Sequence, residues 1–164
     1  MIYQHRVWVY GDHVNTDMIF PGKYTYTLRT EDEIASHALE DLDPHFAETV
    51  QAGDMIIAGK NWGCGSSREQ AVTCLKYQGI QTIIARSFSG LYFRNCIHHG
   101  IRPIICDLQD HVKTGDKIQI DEEKRLIQTA TVEFLYEGLS ASVEAILAAG
   151  GLVPMLQSKY RSGE

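Results

Sequence analysis

Three short apolar runs, at residues 54–58, 81–85 and 103–106, recur with a helix-length segment between each pair. That pitch narrows the fold more than any other feature of the chain. Strand, helix, strand, helix, strand at such spacing predicts parallel βαβ units, whose crossover helices cover the sheet. The intervening helices are expected over 69–77, closed by Gly79, and over about 91–98, leading through Gly100. Upstream, residues 6–10 are aromatic and β-branched and predict a strand, which runs into a polar loop at 11–17. Pro21-Gly22 breaks the chain, and 23–30 alternates Thr with Tyr without an apolar face, so a mobile loop is expected there. Ile34, Ala38, Leu39, Leu42 and Phe46 predict a surface helix over 31–46 that is interrupted near Pro44.

The last third changes period. Residues 117–121 and 125–129 alternate apolar with polar around an acidic turn, a hairpin signal, and Val143, Ile146 and Leu147 predict a helix over 140–149. Ser140 is placed to cap that helix and Gly150-Gly151 to end it, and the tail from Gln157 is expected to be loose. With 164 residues, 44% of them hydrophobic, the chain has enough material for one core and hardly for two. The expectation is an α/β protein with a single domain over 1–164.

Several function classes are disfavoured. The net charge is −6 and Lys and Arg form no stripe, which argues against a nucleic-acid surface. Cys64, Cys74, Cys96 and Cys106 have neither Cys-x-x-Cys spacing nor the density of a secreted disulfide scaffold, so reduced thiols are expected. No segment has the length of a membrane span and residues 1–6 lack the apolar core of a signal peptide, which gives a cytoplasmic expectation.

Chemistry concentrates in Gly63-Cys64-Gly65-Ser66-Ser67-Arg68-Glu69, where a strand turns into a helix. Unpaired N–H groups and the positive end of the helix dipole favour an anion there before any side chain is counted. Arg68 stands where a dinucleotide fingerprint needs its third glycine, and the loop has no Lys followed by Ser or Thr as a P-loop requires, so nucleotide binding is disfavoured. The loops at 12–29, 63–68 and 86–94 all follow strands and should gather on one sheet edge. Arg29, Arg68, Arg86, Arg94, Asp17, Ser66, Ser67 and Ser87 would then suit a ligand with two or three carboxylates.

Ser66, beside Arg68 and donors that stabilise its ionised form, could serve as a base. The plainer alternatives are that Ser66 and Ser67 cap the helix, that Arg68 is a surface residue paired with Glu69 or a neighbouring carboxylate, and that Asp17 closes its own loop. No serine elbow with an assignable His and Asp order appears, so an acyl-transfer triad is poorly supported. Adjacent His98 and His99 face different directions on a helix, and a helix-terminal role suits them better than metal. Cys64 and Cys96 read as small buried hydrophobes before reactive thiols, and Tyr24 and Tyr26 as exposed loop residues.

Three motifs together carry a resemblance: Asn15-Thr16-Asp17-Met18-Ile19-Phe20-Pro21-Gly22-Lys23-Tyr24, Gly63 to Ala71, and Ser87-Phe88-Ser89-Gly90-Leu91-Tyr92-Phe93-Arg94-Asn95. In this order, over nearly the whole chain, the sequence resembles the small-subunit family of 3-isopropylmalate dehydratase, the free-standing form of the swivelling domain of aconitase. The resemblance implies a three-layer β/β/α domain with a mainly parallel central sheet. It implies a hydro-lyase that isomerises 2-isopropylmalate and 3-isopropylmalate by dehydration and rehydration in leucine biosynthesis. This chain would bind no cofactor itself, and a 4Fe-4S cluster would sit on a partner large subunit.

By the same likeness Ser66 would take the proton α to a carboxylate and Arg68 would clamp a carboxylate. Ser67 and the loop N–H groups at Gly65 would steady the substrate, and Asp17 would organise the neighbouring loop. Thr25-Tyr26-Thr27 lengthens the segment before Leu28-Arg29-Thr30 relative to related small subunits. An arginine at that tip, Arg29, resembles enzymes that read an extra carboxylate, such as homoaconitase; dimethylmalate and methylcitrate dehydratases are further candidates. A polycarboxylate-binding module without catalysis is the alternative of another class.

Overall fold

The computed structural model describes residues 3–163; Met1, Ile2 and Glu164, inside the expected 1–164 domain, lie outside them. In chain order the elements are β1 (Tyr3–Val9), α1 (Thr16–Ile19), α2 (Glu31–Ser36), α3 (Phe46–Thr49), β2 (Met55–Ala58), α4 (Gln70–Tyr77), β3 (Thr82–Ala85) and α5 (Gly90–His98). There follow β4 (Arg102–Ile105), β5 (Lys117–Asp121), β6 (Leu126–Gln128), β7 (Glu133–Leu135), α6 (Ala141–Ala148) and α7 (Leu152–Ser162).

Every residue of β2 and β3 is buried, as a strand covered on both faces must be. The side-chain period of two explains how. Trp8, Ile56, Ala58, Ile83 and Ala85 point to one face and pack against Phe20, Leu75, Tyr92 and Cys96 of the helical layer. Val7, Met55, Ile57, Ile84 and Ile104 point to the other and meet Ile118, Ile120 and Ile127, with Phe134 at the margin.

The seven strands form one sheet in the order β4-β3-β2-β1-β5-β6-β7. Pairings among β1, β2, β3 and β4 are parallel, whereas β1–β5, β5–β6 and β6–β7 are antiparallel. The antiparallel half curls over the parallel half and covers its second face, which produces the three layers. The architecture is thus the expected α/β swivel type, with its parallel strands confined to half of an evenly mixed sheet.

Four local features differ from the sequence reading. Inside the loop expected at 11–17, Asn15 caps the four-residue helix α1 by accepting from Met18 N–H at 2.9 Å. The helix expected over 31–46 stops at Ser36, well before Pro44. Leu39, fully buried, takes φ 57° and donates its N–H to Ile19 O at 2.8 Å, and that tertiary contact ends the helix. The segment from Gln157, expected to be loose, continues α7 to Ser162, with Lys159 and Arg161 in the last turn where the dipole favours cations. Tyr24 is half-buried and stacked on His37, while Tyr26 is 91% exposed as expected. No single helix among the described residues is long and apolar enough to cross a membrane.

Candidate active site

Past the ends of the sheet, the parallel strands keep pairing through their loops. Gly59 N–H donates to Gly11 O, His13 N–H to Lys60 O at 2.7 Å, Gly63 N–H to Val14 O at 2.8 Å and Thr16 N–H to Cys64 O at 2.9 Å. On the other side Trp62 N–H donates to Ser87 O at 3.0 Å and Ser89 N–H to Trp62 O at 2.9 Å. Two side chains seal the seam: Asp12 Oδ1 accepts from Lys60 N–H at 2.7 Å and Ser87 Oγ from Asn61 N–H at 2.8 Å. The three loops therefore converge at the carboxyl ends of β1, β2 and β3, as an open parallel sheet dictates.

Ser66, Ser67, Arg68 and Gly65 line one shallow cleft with Thr16, Ser89, Leu91 and Asn95. Gly63 turns the chain into it at φ 80°, with its Cα against the buried Tyr92 ring, where any Cβ would overlap that ring. Tyr92 cannot give way cheaply, because its hydroxyl donates to Ala71 O at 2.7 Å.

Ser66 and Ser67 are exposed, and neither hydroxyl has a hydrogen-bond partner among the described residues. They do not cap α4, whose N-cap position is Glu69 and carries no side-chain cap bond. Among the described residues the N–H groups from Gly65 to Gln70 also find no acceptor within the protein. Free donors, two free hydroxyls and a guanidinium gathered at a helix start form an arrangement that electrostatically favours an anion.

Arg68 is largely buried, its side chain 15% exposed, and it is ion-paired with the more exposed Asp17. Of the carboxylates expected to pair with Arg68, Glu69 or another neighbour, the structure selects Asp17, and the arginine is largely buried instead of on the surface. Gly22 lies against the guanidinium: a Cβ there would stand 2.5 Å from Arg68 Nη1 and 3.1 Å from Asp17 Oδ1. Neither Gly22 nor this pairing was visible in sequence, since 51 residues separate Asp17 from Arg68.

Other members of the predicted inventory are engaged elsewhere. Arg86 faces Asp107 at 3.6 Å, Ser87 is used by Asn61, and exposed Arg94 does not line the cleft. Arg29 is exposed and also outside the cleft lining; its N–H donates to Glu33 Oε2 at 3.2 Å within the capping box that starts α2. Thr16 and Asn95, which do line the cleft, were missed because nothing in their spacing marks them. The wider groove bordered by Gln4, Gln119, Gln128 and Glu133 runs across the antiparallel half, away from these loops.

Among the described residues no three His, Cys, Asp or Glu side chains gather closely enough to hold a metal ion. Cys74, Cys96 and Cys106 are buried free thiols, pushed up in pKa by that burial. His98 ends α5 and His99 caps it, with His99 lowered in pKa by burial.

With this geometry in view, comparison with known proteins is specific. A family model for the aconitase C-terminal domain matches residues 13–109. The chain is 41% identical to 3-isopropylmalate dehydratase small subunit 1 of Archaeoglobus fulgidus, over 93% of this chain and 96% of that one. It is 44% identical to the methanogen homoaconitase small subunit of Methanocaldococcus jannaschii, over 97% and 94%. The crystal structure of a 3-isopropylmalate dehydratase from Methanocaldococcus jannaschii superposes with a TM-score of 0.92 at 41% identity, covering 99% of this chain and 98% of that one. The chain belongs to the aconitase C-terminal domain family and groups there with the small subunits of hydro-lyases.

Proposed function

We propose that this chain is the small subunit of a heteromeric hydro-lyase of the 3-isopropylmalate dehydratase type, which interconverts 2-isopropylmalate and 3-isopropylmalate in leucine biosynthesis. The observation that carries the reading is the free Ser66 hydroxyl beside Arg68, above a row of uncommitted backbone N–H groups. Arg68 takes one substrate carboxylate in a two-pronged grip, and Asp17 fixes the plane of its guanidinium. Ser66, ionised at the positive end of the helix, removes the proton α to that carboxylate. The C–H electron pair becomes the C=C bond as hydroxide leaves the neighbouring carbon. Ser67 and the N–H groups at Gly65 hold the carboxylate and the negative charge that develops on it. Return of the proton and of hydroxide in the opposite orientation gives the isomer.

A cofactor belongs to this reading, and the cysteines of this chain do not fit one: three are buried singly and no metal-ligating cluster forms among the described residues. The reading expects a 4Fe-4S cluster on the partner large subunit, where it would act as the Lewis acid for the departing hydroxyl. Free thiols throughout suit a reducing, cytoplasmic setting.

A second reading, a homoaconitase small subunit, is favoured by the 44% and 45% identical relatives of that name and by Arg29 on the lengthened arm. Substrate preference separates the two. With a large subunit under anaerobic conditions, isopropylmalate is expected to show kcat/KM at least tenfold above a tricarboxylate of the homoaconitase class, a difference of about 1.4 kcal/mol. The reverse order would assign the chain to homoaconitase, and tight polycarboxylate binding without turnover of either would make it a binding module.

A further inference from the structure

The arm at 22–30 backs the site, because Gly22 lies directly against Arg68 and Asp17. What fixes the arm there is a side-chain cluster that the proposed chemistry does not use. The Tyr24 ring stacks on His37 with centroids 4.0 Å apart and planes 28° apart. Its hydroxyl donates to Glu40 Oε1 at 3.3 Å, and His37 Nδ1 stands 3.0 Å from the same oxygen. Lys23 Nζ lies 5.1 Å from the centre of the Tyr24 ring. From the other side Gln70 Nε2, at the start of α4, donates to Thr25 O at 3.3 Å.

The fold goes to some cost to bring these groups together. Leu39, next to Glu40, adopts the left-handed backbone, Glu40 N–H donates to His37 O at 3.3 Å, and Glu40 Oε2 is buried without a hydrogen-bond partner among the described residues. Such a residue and such an unmade acceptor persist only where neighbouring contacts over-determine them.

We propose that Tyr24, His37 and Glu40 are positioning residues. They clamp the arm so that Gly22 backs the Arg68 guanidinium, and thereby set how tightly a substrate carboxylate is held. The inference rests on the hydro-lyase reading of the cleft at Gly65, Ser66, Ser67 and Arg68, and its test separates the two.

On the free chain, trypsin cleavage after Lys23 and Arg29, followed by mass, reports the clamp without any activity. Tyr24→Leu is expected to speed that cleavage about tenfold, because cleavage tracks the population of the opened arm. In the assembled enzyme the same variant should raise KM about tenfold with kcat within about twofold, the factor expected from one ring stack and one hydrogen bond. Tyr24→Phe, which keeps the stack, should recover most of both effects. If Tyr24→Leu fails to fold, Glu40→Gln carries the test with an expected change of about threefold in cleavage and KM. Unchanged cleavage, or a fall in kcat at constant KM, overturns the proposal. A wild-type enzyme that turns over neither substrate class overturns the hydro-lyase reading instead, and cleavage still decides whether the clamp exists.

Discussion

Ser66→Ala is expected to lower kcat of the assembled enzyme by about 10³-fold while leaving KM within a few-fold and the unfolding transition of the chain in place. Loss of a positioned general base carries roughly 10²–10⁴ in rate. The hydroxyl is exposed and makes no hydrogen bond within the described protein, so its removal leaves no cavity and no orphaned donor. The inactive chain should still compete with wild type for the large subunit, since the backbone seam that shapes the loop runs through Gly63, Cys64 and Ser87 instead. Steady-state rates at varied substrate, with thermal unfolding of the same preparation, check both halves. Ser67→Ala is expected to cost less, roughly 10–10²-fold, as one of several donors around the developing charge.

Asp54→Ala is expected to have the largest effect on stability, about 3–5 kcal/mol, seen as a drop in Tm of roughly 10 °C. Asp54 is 4% exposed, and its carboxylate accepts from Arg6 Nε at 3.1 Å, Arg6 Nη2 at 2.7 Å, Trp8 Nε1 at 3.0 Å and Gln51 N–H at 3.0 Å. Three of these bonds tie β1 to the turn that enters β2, the central parallel pair of the sheet, and the one from Gln51 closes the turn itself. Burial alone would raise the Asp54 pKa, but the donors outweigh it and hold the carboxyl below its ordinary value. A folded pKa below the unfolded one, about 3.9, means that the contribution is full above that pH and drains away as pH falls through the lower folded value. Denaturant unfolding at descending pH should therefore show wild type converging toward the variant in acid, whereas a constant gap would remove Asp54 from this role.

How much of this was legible depended on distance along the chain. The parallel half could be read because two-residue alternation and helix-length spacing are local signals, and β2, α4, β3, α5 and β4 lie within about two residues of their expected bounds. The hairpin of β5 and β6 was legible because alternation on both sides flanks an acidic turn, whereas β7 turns a single residue, Phe134, toward the core and the segment 129–132 before it carries no Gly, Pro, Asn or Asp to mark a turn.

The cradle itself was visible, since glycines, hydroxyls and an arginine crowd into one strand-to-helix turn. Its partners were not. The Arg68–Asp17 pair, the approach of Gly22 and the Tyr24–His37 stack are made by tertiary packing, which composition cannot encode. Ser87 shows the converse: it was grouped with the anion-binding residues by its loop, yet its oxygen is spent on Asn61 N–H, which holds a residue at φ 58°. Arg29 likewise shares the arm with Gly22 but not the cleft.

The central claim is that this cradle completes an active site only against a second, cluster-bearing chain. The direct measurement is the initial rate of ultraviolet absorbance from the unsaturated diacid when this chain is titrated into a fixed amount of large subunit with isopropylmalate, without oxygen. The expected result is no signal from either protein alone and a rate that climbs with added chain to a plateau at a fixed stoichiometry. Full turnover by the large subunit before any of this chain is added would contradict it.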